Sequence, residues 1–190
     1  MAITTTLFSV GFRPFFLIAG GYGALAVGAW AGWLGDLWDL PQFYPASQLH
    51  AHEMMYGFAL AAIAGFLLTA VPQWTGDKPL RGPGLAALAG SWLAGRLAML
   101  GAGAVGPMTA MALDMLFPLA LCAVIGSMLL RAGNRRNYGF VAILALTALA
   151  NLCWHLDMLD LVGDFAENLA ESAQQLMLNL LLIIVAIMGG

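Results

Sequence analysis

Long apolar runs alternate with short polar breaks along the chain, and this pattern predicts helices that cross a membrane. A spanning helix needs roughly 20 mainly apolar residues, and the sequence offers about six such runs. The predicted spans are 15–34, 50–72, 84–100, 108–130, 138–156 and 168–188. The first run, Phe15 to Leu34, is free of charge and lacks a small-residue cleavage site followed by a polar region. It therefore reads as a first membrane helix and not as a removed signal peptide. Asp36, Asp39, Pro41 and Pro45 break the chain before the second run. Asp77, Lys78 and Arg81 mark the next turn, Gly101 to Pro107 an uncharged one, and Arg131 to Asn137 a basic one. Asp157, Asp160, Asp164 and Glu167 form an acidic loop before the last run, and with Glu171 they read as a solvated rim. The expected fold class is an all-α, polytopic membrane helix bundle, with residues 1–190 as one transmembrane domain.

Composition agrees with that reading and removes several others. Of 190 residues, 62% are hydrophobic and 9% charged, too few charges to solvate a globular surface or to leave the chain disordered. Seven Lys and Arg against ten Asp and Glu give a net charge of -3 without a basic stripe, so no nucleic acid partner is expected. The expected partner is the lipid bilayer. Cys122 and Cys153 lie in different apolar runs, and no disulfide is expected.

The few charges are informative. Arg13, Lys78, Arg81, Arg131, Arg135 and Arg136 fall in alternate breaks, while the opposite breaks carry no Lys or Arg. Basic residues favour the cytoplasmic side, so the N-terminus is expected there, and with six spans the C-terminus as well. Trp30, Trp33, Trp38, Tyr44 and Trp154 are expected as an aromatic belt at the outer interface. The apolar run reaching Met188 ends without a polar tail, which reads as a fragment or as a half-sized unit completed by a partner.

Three histidines are predicted at one membrane face. His50 and His52 open the second span at its outer end, and His155 closes the fifth. Two helices presenting imidazoles at one depth suit a metal or haem site; histidines facing headgroups and water are the plainer alternative. Residues two apart on a helix point roughly 200° apart. One of His50 and His52 is thus expected to bind, leaving the other for a second metal, a hydrogen bond or the interface. Asn151 shares the face of His155 and is placed to orient its ring, and Tyr56 shares the face of His52. Glu53 reads as a metal ligand, a proton acceptor or a first-turn acid. Gly57, Ala61 and Gly65 allow close helix packing, or the seat of a flat macrocycle.

Arg96 and Asp114 are charges inside predicted spans, at matching distances from the turn between them. Such a charge costs about 2.5–3.5 kcal/mol at the bilayer centre on insertion scales, so a mutual ion pair is the default. The alternatives for Arg96 are an anionic group such as a haem propionate, or a proton path. The eleven methionines read as packing; Met54 and Met55 alone lie near enough to the histidines to suggest copper.

Several stretches resemble the NnrS family. They are Val10-Gly11-Phe12-Arg13-Pro14-Phe15-Phe16, His50-Ala51-His52-Glu53-Met54 and Ala64-Gly65-Phe66-Leu67-Leu68-Thr69-Ala70-Val71-Pro72. Trp74-Thr75-Gly76, Leu93-Ala94-Gly95-Arg96 and Arg135-Arg136-Asn137, followed by Asn151 and His155, continue the match in order. The resemblance implies a polytopic membrane protein linked to denitrification and nitric oxide response, with haem b and copper as cofactors. It implies His50, His52 and His155 as candidates for haem or metal ligation; Arg96, read from its place inside a span, is the cofactor-binding candidate beside them. It also implies a family roughly twice this length, with about twelve spans, of which this sequence matches the first half.

The expectation is a haem-binding protein of the cell inner membrane, acting in nitric oxide metabolism by electron transfer or nitric oxide handling. A non-catalytic subunit that packs against a redox complex, or pairs with a second copy as a homo-oligomer, is the rival. A small transporter fits less well, because its polar groups would gather at the midplane. No catalytic residue is named by the sequence.

Overall fold

The computed structural model describes residues 6–39, 43–163 and 168–189. Six long helices appear among them: α1 (Phe12–Leu34), α2 (Ala46–Thr75), α3 (Gly82–Leu100), α4 (Pro107–Arg131), α5 (Tyr138–Met158) and α6 (Leu169–Gly189). No strand occurs among the described residues, so the chain is an all-α bundle. Five of the helices, all but α3, are long and apolar enough to cross a membrane. Helix α3 spans 19 residues, but Arg96, Ser91 and its glycines dilute its apolar content.

Helix α2 forms the centre of the bundle: 61% of its apolar window is buried, against 17% for α1. Its core residues Leu60, Ala64, Leu67, Leu68 and Val71 join Phe15 of α1, Leu85 of α3, Phe117, Leu121 and Ile125 of α4, and Leu144 of α5. The outward residues of the peripheral helices, such as Leu17 and Leu25 of α1 and Leu182 of α6, are exposed apolar side chains suited to lipid. Helix α2 ends on Gly76 at φ 71°, a left-handed position that glycine adopts without a Cβ penalty.

Two ends of the bundle are distinct. Arg131 pairs with Asp77 at 2.8 Å, and the Asn134 side-chain amide donates to the Trp74 carbonyl at 3.1 Å. The Gly82 amide donates to the Phe8 carbonyl at 2.8 Å. The basic turns and the N-terminal segment therefore gather at one end. His50 and Leu100 line one pocket at the other.

The aromatic belt is only partly as expected. Trp38 is exposed, but Trp154 and Tyr44 are buried in a small core with Leu49, Met99 and Ala102. Trp154 reaches Gln48 through its indole N–H, so its polar edge faces protein and not the interface. Glu171 is exposed as a rim residue would be, whereas Asp157 accepts the Ala170 amide at 2.8 Å and fixes the start of α6. Asp164, Glu167 and Pro41 lie outside the described residues.

Candidate functional site

Helix α2 is not a uniform α-helix. From Glu53 to Ala59 it opens into a π-helical segment. A π turn weakens the regular i→i−4 ladder, and such segments recur at functional sites. The Gly57 carbonyl here accepts the Trp92 indole N–H at 2.9 Å, a bond that ties α3 to the widened turn. At the entrance of the segment His52 and Glu53, neighbours in sequence, are both buried.

Around them lies a continuous polar cluster. Glu53 accepts from Arg96 of α3 at 2.7 Å, from Tyr22 of α1, and pairs with the His52 Nδ1 at 3.2 Å. Arg96 also pairs with Asp114 of α4. Asp114 Oδ2 accepts from the Asn151 amide at 2.7 Å and meets His155 Nε2 at 2.9 Å. His52 Nε2 lies 2.9 Å from Asn151 Oδ1 and 3.3 Å from Asp114 Oδ2. Five helices thus contribute to one hydrogen-bonded group, with each of its charged members nearly or fully buried.

Close helix approach makes this possible. A Cβ on Gly95 would sit 3.1 Å from the Asp114 Cα, so glycine at this position lets α3 lie against α4 beside the Arg96–Asp114 pair. A Cβ on Gly57 would meet the Tyr22 ring at 2.5 Å, in the space through which that phenol reaches Glu53. Phe15 and Phe16 fill the space at Gly65 in the same way. The small-residue face of α2 is therefore a packing face for α1, filled by Tyr22, Phe15 and Phe16.

The charges do not balance. Two carboxylates, Glu53 and Asp114, face one guanidinium, and with both imidazoles neutral one negative charge is left over. Burying an uncompensated charge in a low-dielectric interior costs several kcal/mol, so the cluster favours a further cation, either a proton or a metal. His52, Asp114 and His155 offer one ligand atom each, all within 4.8 Å of one another, and could hold a metal ion. His155 Nδ1 and Arg96 Nε, both buried, have no hydrogen-bond partner among the described residues.

The structure brings together His52, His155 and Arg96, but not His50. The His50 ring stacks on Trp30 at 4.4 Å between centroids, on the side of α2 that faces α1. Two residues along the helix is enough for this divergence. Asn151 shares the helical face of His155 but bonds His52 and Asp114. Tyr56 stacks near His52 at 4.7 Å, as its spacing implies. Met55 is buried in the core. Tyr22 and Trp92 were not anticipated; a lone tyrosine within an otherwise apolar run was the available signal for the first.

A profile of the NnrS protein family matches residues 6–190. The chain belongs to the NnrS family. No curated protein and no solved structure matches it. With five apolar helices, this NnrS-family chain is a multi-pass membrane protein, compatible with a lipid bilayer.

Proposed function

We propose that this NnrS-family protein holds a metal ion at His52, Asp114 and His155 and acts through it in the nitric oxide response. The observation that carries the reading is the buried, charge-unbalanced convergence of two imidazoles and one carboxylate from α2, α4 and α5. Imidazole with carboxylate suits a divalent first-row ion, and copper is the one that the family resemblance implies. A bound ion would supply Lewis-acid or one-electron chemistry; this chain's residues do the rest. His52 and His155 supply neutral nitrogen donors. Asp114 supplies charge, and Arg96 holds both it and Glu53 in place. Glu53, 3.2 Å from the His52 Nδ1, orients that ring through its other nitrogen, and Asn151, whose amide donates to Asp114, orients the carboxylate.

Haem b fits this pair of histidines poorly. Both imidazoles reach the same Asp114 oxygen, and Trp154 packs at 4.3 Å from the His52 ring, leaving no slot for a flat macrocycle between them. Placement of the membrane spans follows the six helices, with the basic end in the cytoplasm and the histidine end outside, in the inner membrane. The basic end assembled by Asp77–Arg131 and Asn134–Trp74 supports that orientation.

Metal analysis of detergent-purified protein tests the reading. Copper loading of about one ion per chain is expected, lost in His52→Ala, His155→Ala and Asp114→Asn and kept in His50→Ala. Membranes carrying the parent chain should consume nitric oxide faster than membranes carrying His155→Ala. A parent protein that stays metal-free after loading, while well folded, would sink the proposal.

A further inference from the structure

The pocket that His50 and Leu100 line lies on the Tyr22 side of Glu53, whose other oxygen faces Arg96 and His52. It occupies about 190 Å³ between α1 and the start of α2, lined by Tyr22, Leu25, Ala26, Trp30, His50 and Glu53. Leu25 is an exposed apolar residue on the outer face of α1, so the cavity opens toward lipid. The walls are apolar except at the inner end, where the Glu53 carboxylate stands with Tyr22 and the His50 imidazole. Tyr22 already donates to Glu53 Oε2, which leaves that oxygen a second lone pair. His50 has ring stacking on Trp30 and no hydrogen-bond partner among the described residues.

These features select an occupant. The volume is below that of a pocket enclosing a whole drug-sized molecule, and suits a single ring with the remainder of the ligand in the bilayer. Trp30 and His50, stacked on each other, add aromatic rings to the lining. The polar end carries negative charge, which rejects a phosphate headgroup and favours a neutral group that donates a hydrogen bond. We propose that this cavity binds the ring of a lipid-soluble hydroquinone, one hydroxyl donating to Glu53 and its tail lying along Leu25. The proposal concerns binding alone and stands apart from the metal reading, although Glu53 touches both sites.

Binding of decylubiquinol to anaerobic, metal-free protein in lipid nanodiscs tests it. Saturable binding of about one molecule per chain is expected. Decylubiquinone and the dimethyl ether of the quinol, which lack a donor for the carboxylate, should bind about tenfold or more weakly, the worth of a hydrogen bond to a charged group. Ala26→Phe, which fills the cavity, should abolish binding, while Ala24→Phe on the exposed face of the same helix should leave it within twofold. Ala24→Phe also reports that added bulk on α1 does not unfold the chain. His155→Ala removes a metal ligand away from the cavity and should leave quinol binding within twofold, so the two proposals fail separately. Equal binding of quinol and quinone, undiminished binding in Ala26→Phe, or no saturable binding would overturn the assignment.

Discussion

Arg96 illustrates how one residue governs the site. It is the cation that the buried cluster supplies for two carboxylates, and it bonds both of them. Removing one partner of a buried ion pair leaves the other charge uncompensated, at a cost of about 3–5 kcal/mol. Arg96→Met, close in length but uncharged, should therefore destabilise the protein by about that amount, read as a lower thermal midpoint in detergent. Arg96→Met combined with Glu53→Gln removes one charge of each sign and should recover much of the loss. If the double variant melts no higher than the single one, the Arg96–Glu53 bond is not what holds the cluster. At this scale the sequence was readable in part. Arg96 and Asp114 stood out because charges within apolar runs need partners, and they are indeed paired. Glu53 stood out only as a neighbour of His52, since nothing in its spacing tied it to an arginine 43 positions on.

At the scale of elements, the site depends on how closely helices approach and on one irregular turn. Gly95 lies against the Asp114 backbone, an obstacle that cannot rotate aside as a side chain can. Gly95→Ala should push α3 from α4 by a few tenths of an ångström, against a virtual contact of 3.1 Å. The expected outcome is a lower thermal midpoint together with weaker copper retention, measured by equilibrium dialysis against a chelator. Gly90→Ala, where a Cβ meets open space on the same helix, should change neither. Apolar periodicity made the helices themselves legible, because each run is long enough to span and ends in charge, glycine or proline. The π-helical segment at Glu53–Ala59 was not legible. A widened turn arises from competition between the backbone ladder and tertiary contacts such as Trp92 to Gly57, and no local pattern announces it.

At the scale of the whole molecule, the bundle has a basic end and a histidine end. Arg131 with Asp77, and Asn134 with Trp74, join turns that are far apart in sequence. Cysteine labelling would map this arrangement onto the membrane. In a Cys122→Ser, Cys153→Ser background, Lys78→Cys should react with an impermeant maleimide only after membranes are opened. Gly163→Cys, in the turn after α5, should react in intact spheroplasts. The reverse pattern would invert the proposed topology.

Sequence alone determined that this chain is an all-α membrane protein, because apolar run length and charge scarcity are local properties that the bilayer reads directly; its NnrS membership rests on motifs matched in order along the chain. It also determined that the histidines sit near one end of their helices. Which histidines share a site was decided only by tertiary structure. His50 and His52 are equivalent by composition and depth, and differ only in the direction each faces once α2 is packed between α1 and α4. That packing sends His52 inward to Asp114 and His155, and sends His50 outward to Trp30.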